Sequence, residues 1–176
     1  MASMTFAELQ AAVQTHADSA ELDAAQLALW LNEAQNDLSL EFGPVKSMTY
    51  DGSDGTAVFS IPDDCVEILE ADADYAFNSY GGLVFDGATV ATIHYRAFAA
   101  PFTGTDATQV SELPAAVHHL MPWFVVSRYW LTEAEGDGEE MTQSNTYMQY
   151  YLAGKAQMLS RLKAQMGSRP TAWKIV

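Results

Sequence analysis

Residues 24–44 read AAQLALWLNEAQNDLSLEFGP, and this stretch decides the fold. Leu27, Trp30, Leu31, Ala34, Leu38 and Phe42 recur every three to four residues, the rhythm of a helix with one apolar face. Asp23 stands before the first periodic residue as a candidate N-cap. Gly43-Pro44 ends the pattern, since proline cannot continue a helix. The spacing predicts a helix over 24–42. Working toward the N-terminus, residues 17–23 read as a polar connection. Residues 4–16 (MTFAELQAAVQTH) predict another helix, with Phe6, Leu9 and Val13 on its apolar side. Thr5 and Glu8 have the spacing of a capping box.

Beyond Pro44 the chain changes character. Residues 45–100 are rich in Val, Thr, Tyr, Phe, Gly and Asp. The segments 46–50 (KSMTY) and 56–61 (TAVFSI) flank the turn Asp51-Gly52-Ser53-Asp54-Gly55 and predict a β-hairpin. Further strands are expected at 65–71, 73–78, 83–85 and 89–97. The last alternates apolar and polar residues as a half-buried strand does. The expectation is one small antiparallel sheet of about five strands. Residues 101–112 read as a loop. Pro114 opens a helix from 115 to 135, with a kink or break expected at Pro122. After Gly136-Asp137-Gly138, a final helix is predicted over 139–166. Met141, Met148, Tyr151, Leu152, Leu159 and Leu162 form its apolar side, and Gly167 ends it. Residues 168–176 (SRPTAWKIV) read as an extended tail. The predicted class is α+β: a bundle of about four helices from residues 4–43 and 113–166, carrying a β insertion over 44–100.

The chain has 176 residues, the size of one domain. Its 49% hydrophobic residues suffice for a core, so whole-chain disorder is excluded. Its formal net charge of −15 excludes a general nucleic-acid-binding surface. The single cysteine, Cys65, excludes an internal disulfide framework and a cysteine-built zinc site. The first ten residues lack the basic and apolar regions of a signal peptide. Arg128 interrupts the most apolar stretch, near 120–131, which is too short for a membrane span. The expectation is a soluble intracellular protein. The charge is also unevenly placed. Up to residue 150 there are 23 acidic residues against Lys46, Arg96 and Arg128; from Tyr151 onward there are five basic residues and no acidic one. Such a split marks a sided interaction surface. The tail carries Trp173, Ile175 and Val176 beside Arg169 and Lys174, residue types that anchor interfaces.

No enzyme signature is present. Glu33 and Asp37 lie four residues apart on one helix face, but no neighbouring histidine or metal-ligand pattern joins them, so they read as a solvated acidic face. His118 and His119 are adjacent and point to different faces, unlike a zinc pair at i, i+4; one is expected in the core. His16 and His94 are isolated. Residues 51–55 lack the later ligands of a calcium loop. Cys65 has no basic neighbour to lower its pKa and reads as a small buried residue. No catalytic, cofactor or metal residue is assigned. Tyr147, Tyr150 and Tyr151 cover more than one helix face, which predicts a contact with another subunit.

The segment Leu31-Asn32-Glu33-Ala34-Gln35 is similar to the helix of tailed-phage head–tail adaptor proteins. The order of features after it also resembles that family. An Ile61-Pro62-Asp63-Asp64 turn lies in the β insertion, Tyr95-Arg96 ends a strand, and Leu113-Pro114 opens a helix with His118 near its start. The resemblance runs over residues 24–163. It implies a structural protein that assembles as a ring, commonly of twelve copies, beneath the portal ring of the capsid. It further implies that the ring extends the DNA channel and joins the capsid to the next neck or tail protein, without a cofactor or a membrane. By position, the tail residues Arg169, Pro170, Trp173, Lys174, Ile175 and Val176 would bind the portal. The implied location is the neck of the virion, with host cytoplasm during assembly. An acidic lumen would then let DNA slide, because each phosphate neutralised by Lys or Arg adds affinity. The rival readings are another neck or tail-completion ring protein, a small hydrolase using Glu33 and Asp37, and an acidic nucleic-acid mimic.

Overall fold

The capping box at the N-terminus forms as its spacing requires. Glu8 Oε2 accepts the Thr5 N–H at 2.7 Å, and Thr5 Oγ1 accepts the Glu8 N–H at 3.3 Å. These bonds satisfy N–H groups that have no intrahelical acceptor, and α1 runs from Phe6–Ala17. The computed structural model describes residues 2–17, 22–51, 58–85, 90–133 and 138–167. After α1 come α2 (Ala24–Phe42), β1 (Val45–Asp51), β2 (Cys65–Ala71), β3 (Tyr75–Phe77), β4 (Leu83–Phe85), β5 (Val90–Ala97), a 3-10 turn at Ala115–Val117, α3 (Leu120–Glu133) and α4 (Gly138–Gly167). The molecule is α+β, as its sequence predicts.

Two clusters of buried side chains hold it together. The first is helical. Leu9, Val13, Leu27, Leu31, Ala34 and Leu38 are fully covered, as are Leu120, Met121, Val125 and Val126 from α3. α3 is the central helix and packs on α1, α2 and α4. The second cluster belongs to the strands. Ala91, Ile93, Tyr95 and Ala97 alternate along β5 and point inward with Tyr50, Leu83 and Phe85. Tyr50, Phe59 and Phe85 form a ring cluster with centroids 4.9–5.8 Å apart.

The strand pairing departs from expectation. Among the described residues β1 does not pair with 58–61. It runs antiparallel to β5, with Tyr50 opposite Ala91 and Lys46 opposite Tyr95. Of the predicted partner, Phe59 makes only an isolated bridge to Leu83, and the turn over 52–57 lies outside the described residues. There is also not one five-stranded sheet. The order β1-β5-β2 makes a three-stranded sheet, and β3-β4 form a separate hairpin. The cause is β5, whose regular alternation lets it serve β1 on one edge and β2 on the other. Pro122 does not break its helix either. α3 begins at Leu120, so Pro122 falls in the first turn, where its missing N–H costs nothing. The break comes before it, after the 3-10 turn. Asp23 gives no side-chain cap; its carbonyl accepts the Leu27 N–H at 2.9 Å.

Candidate functional site

α2 is the element from which the molecule's surfaces are positioned. Its apolar residues face the core, and the polar ones between them each tie down a different part of the chain. Asn32 Nδ2 donates to the Phe102 carbonyl at 3.0 Å, and its Oδ1 accepts the Phe102 N–H at 2.7 Å. Gln35 is fully buried. Its Nε2 donates to the carbonyls of Ala99 and Ala100, and its Oε1 accepts from Ser111 Oγ at 2.6 Å. Ser39 Oγ accepts the Ala99 N–H. Asn32, Gln35 and Ser39 lie along one helix stripe. Together they clasp the segment that returns from β5 to the helices, satisfying backbone groups in a stretch with no regular structure.

Glu33 and Asp37 stay partly in solvent, with side chains 40% and 39% exposed, but each is also held by a cation. Glu33 pairs with Arg128 of α3 at 3.3 Å. Asp37 accepts a short hydrogen bond from the Tyr151 hydroxyl and another from Lys155 Nζ at 2.8 Å, both on α4. Burial and the Asp37 carboxylate push the Tyr151 phenol well above its ordinary range. The two carboxylates therefore join α2 to α3 and α4, and neither meets a histidine among the described residues.

The three tyrosines assigned to a subunit contact separate in the structure. Tyr150 is 53% exposed, with its ring 6.0 Å from Trp123. Tyr147 is half-buried, and its hydroxyl donates to the His16 carbonyl at 3.1 Å. Tyr151 is only 1% exposed, edge-on to Phe124. Its surface is consumed inside the subunit, so Tyr147 and Tyr150 are the two with area left for a neighbour. The tail residues Arg169, Pro170, Trp173, Lys174, Ile175 and Val176 lie outside the described residues.

His118 is the core histidine. Its Nδ1 accepts the Met4 N–H at 2.9 Å, and its Nε2 contacts the Leu113 carbonyl at 2.8 Å. A carbonyl needs a donor, so Nε2 carries the proton and the ring is neutral. Burial lowers its pKa accordingly. His119 is half-buried, edge-on to Trp123. His94 is exposed on β5 and His16 ends α1. Cys65 is half-buried rather than buried, and desolvation raises its thiol pKa. No group of three or more His, Cys, Asp or Glu is arranged to hold a metal among the described residues. No helix among them is long and apolar enough to cross a membrane.

What remains at the surface is a pair of unlike ends. Beyond Leu159, residues 160–164 of α4 are exposed and carry Arg161 and Lys163. The β unit carries Glu70, Asp72 and Asp74 with Leu69, Phe77 and Tyr80 exposed beside them. Sequence reasoning missed the α2 stripe, although Asn32, Gln35 and Ser39 at i, i+3 and i+7 were its available signal.

Residues 4–83 match the family described as SU10 adaptor protein, a family of phage head–tail adaptors. The matched region includes α1, all of α2 with its three clasping side chains, and the chain as far as Leu83 of β4; the segment they clasp, 99–111, lies beyond it. No curated protein matches the sequence.

Proposed function

We propose that this chain, as a phage head–tail adaptor, works as one subunit of a ring between the portal and the next neck or tail protein. The observation that carries the reading is the family match over residues 4–83, which coincides with the element that organises the whole subunit. In this reading the protein is structural and located in the virion neck. The helices form the wall of a ring, commonly of twelve copies in such proteins, and the β unit over 44–100 faces neighbours or the next ring. Tyr147 and Tyr150 lie at the subunit seam. The tail residues Arg169, Pro170, Trp173, Lys174, Ile175 and Val176 dock on the portal. DNA passes through the lumen without specific binding, which the net charge of −15 per chain favours by repulsion. Subunits gather in the host cytoplasm during assembly.

The test is to recover the tagged protein from cells that are assembling particles and examine it by native mass spectrometry and negative-stain imaging. The expected result is a ring of this chain stacked on a second, larger ring. A monomer or dimer with no large partner overturns the reading. A ring that copurifies with another adaptor rather than with a portal points instead to a different neck position.

A further inference from the structure

Arg161 and Lys163 stand apart from the other cations. Lys46, Arg96, Arg128 and Lys155 each pair with a carboxylate. Arg161 and Lys163 have no such partner among the described residues, in a chain with 23 acidic residues to choose from. Beside Arg161 lies an open groove of about 420 Å³, lined by Ala116, His119, Gln157, Met158 and Arg161. His119 stands in its wall, edge-on to Trp123. Leu162, one residue on, is 37% exposed. The α4 end thus offers a partly apolar groove with a cationic rim.

The opposite chemistry stands on the β3–β4 hairpin. Its turn is tightly built. Asn78 Oδ1 accepts the N–H groups of Tyr80 at 2.9 Å and Gly82 at 2.8 Å. Gly81 adopts a φ of 80°, which a side chain would strain. This rigid turn displays Tyr80 at 95% exposure, with Phe77 at 58% on the same hairpin. Asp74, just before β3, and Glu70, on β2, are exposed and have no cationic partner among the described residues. Between Lys46 and Arg96 the sequence contains no basic residue and nine acidic ones.

We propose that the β3–β4 hairpin of one copy docks in the α4-end groove of the next, with Tyr80 entering the groove and Glu70 and Asp74 facing Arg161 and Lys163. The inference rests on the ring reading and names its subunit contact. A second copy is the occupant because the charges are complementary and this chain carries both halves. Made head to tail, with each copy giving its hairpin to one neighbour and its groove to another, the contact is heterologous, the kind from which rings are built when the rotation closes. Tyrosine is a favoured interface anchor, and a turn already held in shape loses little entropy on docking.

The experiment is sedimentation velocity with native mass spectrometry on the full chain at low salt, over a range of concentrations. Wild type is expected to associate as concentration rises. Tyr80→Ala weakens association at least tenfold. The reversals Arg161→Glu/Lys163→Glu and Glu70→Lys/Asp74→Lys are each expected to stay monomeric. Mixed in equal amounts, the two reversals reassociate, because alternating copies restore an opposite-charge contact at every seam. Unchanged circular dichroism and thermal unfolding of each variant separate loss of contact from loss of fold. Reversals that associate like wild type, or a mixture that stays monomeric, overturn the contact. So does a wild-type chain that stays monomeric throughout. The ring reading itself falls only if the complex recovered from cells lacks a ring.

Discussion

At the residue scale, the two groups that carry most consequence are Asp37 and His118. Asp37 is the partner of a buried phenol and of a largely buried ammonium. Removing the carboxylate leaves the Tyr151 hydroxyl with no acceptor in an apolar site. Asp37→Ala is expected to cost about 1–3 kcal/mol, the penalty of an unsatisfied buried donor. Tyr151→Phe should cost only about 1 kcal/mol, since Asp37 keeps Lys155 and access to water. Urea unfolding measures both, and equal losses would contradict this assignment. His118 makes the fold sensitive to acid. Its folded pKa is lowered by burial, so the unfolded chain takes up the proton first as pH falls. Stability is therefore full above the ordinary histidine pKa of about 6.5 and is lost as pH drops below it. The protonated ring also turns Nδ1 from acceptor to donor against the Met4 N–H. His119, lowered by burial as well, adds to the same window. The expected result is a drop in urea midpoint from pH 7.5 to 5.5, reduced in His118→Gln. An unchanged slope in that variant would place the titration elsewhere.

At the element scale, the contact between α3 and α4 depends on a missing side chain. A Cβ on Gly154 would run into Leu120, which is fully buried, and would crowd Trp123. Alanine gains up to about 1 kcal/mol of helix propensity over glycine. Overpacking costs about 1–3 kcal/mol, and it wins here because the side chain that must give way is fully buried in the core. Gly154→Ala is expected to lower stability by about 1 kcal/mol in chemical denaturation. A stabilised variant would show that α4 can shift on α3. The same scale explains the strand errors. An Asp-Gly-rich turn between alternating segments is a local signal, and it predicts pairing of β1 with residues 56–61. The pairing of β1 with β5 closes a loop of about forty residues, and only the filled interior between Tyr50, Ala91, Ile93 and Tyr95 compensates for it. Nothing within ten residues of β1 announces that partner. α3 shows a milder case: Pro122 is visible as a breaker, but whether it interrupts a helix depends on where the helix starts.

At the scale of the whole molecule, the cations Arg161 and Lys163, unpaired among the described residues, stand late on α4 and a run of exposed acids stands in the β unit. Lys155 is the last described cation bound to a carboxylate, and beyond Leu159 residues 160–164 are exposed. Truncation after Gly167 is expected to abolish portal binding while leaving thermal unfolding within about one degree of wild type. The helical core closes through Tyr151, with Met158 and Leu159 packed against it, all before the cut. Pull-down with portal rings and a melting curve check the two halves of that statement, and undiminished binding would move the portal contact off the tail. Much of this architecture was legible from residues alone. α2 was readable to the residue, because helical periodicity, a clear stop and a change of composition all agree at Gly43-Pro44. The Thr5–Glu8 box was readable for the same reason: its chemistry is complete within one turn. The charge separation needs only counting. The roles of Asn32, Glu33, Gln35 and Asp37 were not readable, since their partners lie from 64 to 118 residues away in sequence. The sequence by itself determined the helices, the class and the charged ends, because periodicity and composition act over a few neighbouring residues. Only the tertiary structure decided which carboxylates are bound inside and which cations remain free, because that depends on side chains distant in sequence meeting once the cores close.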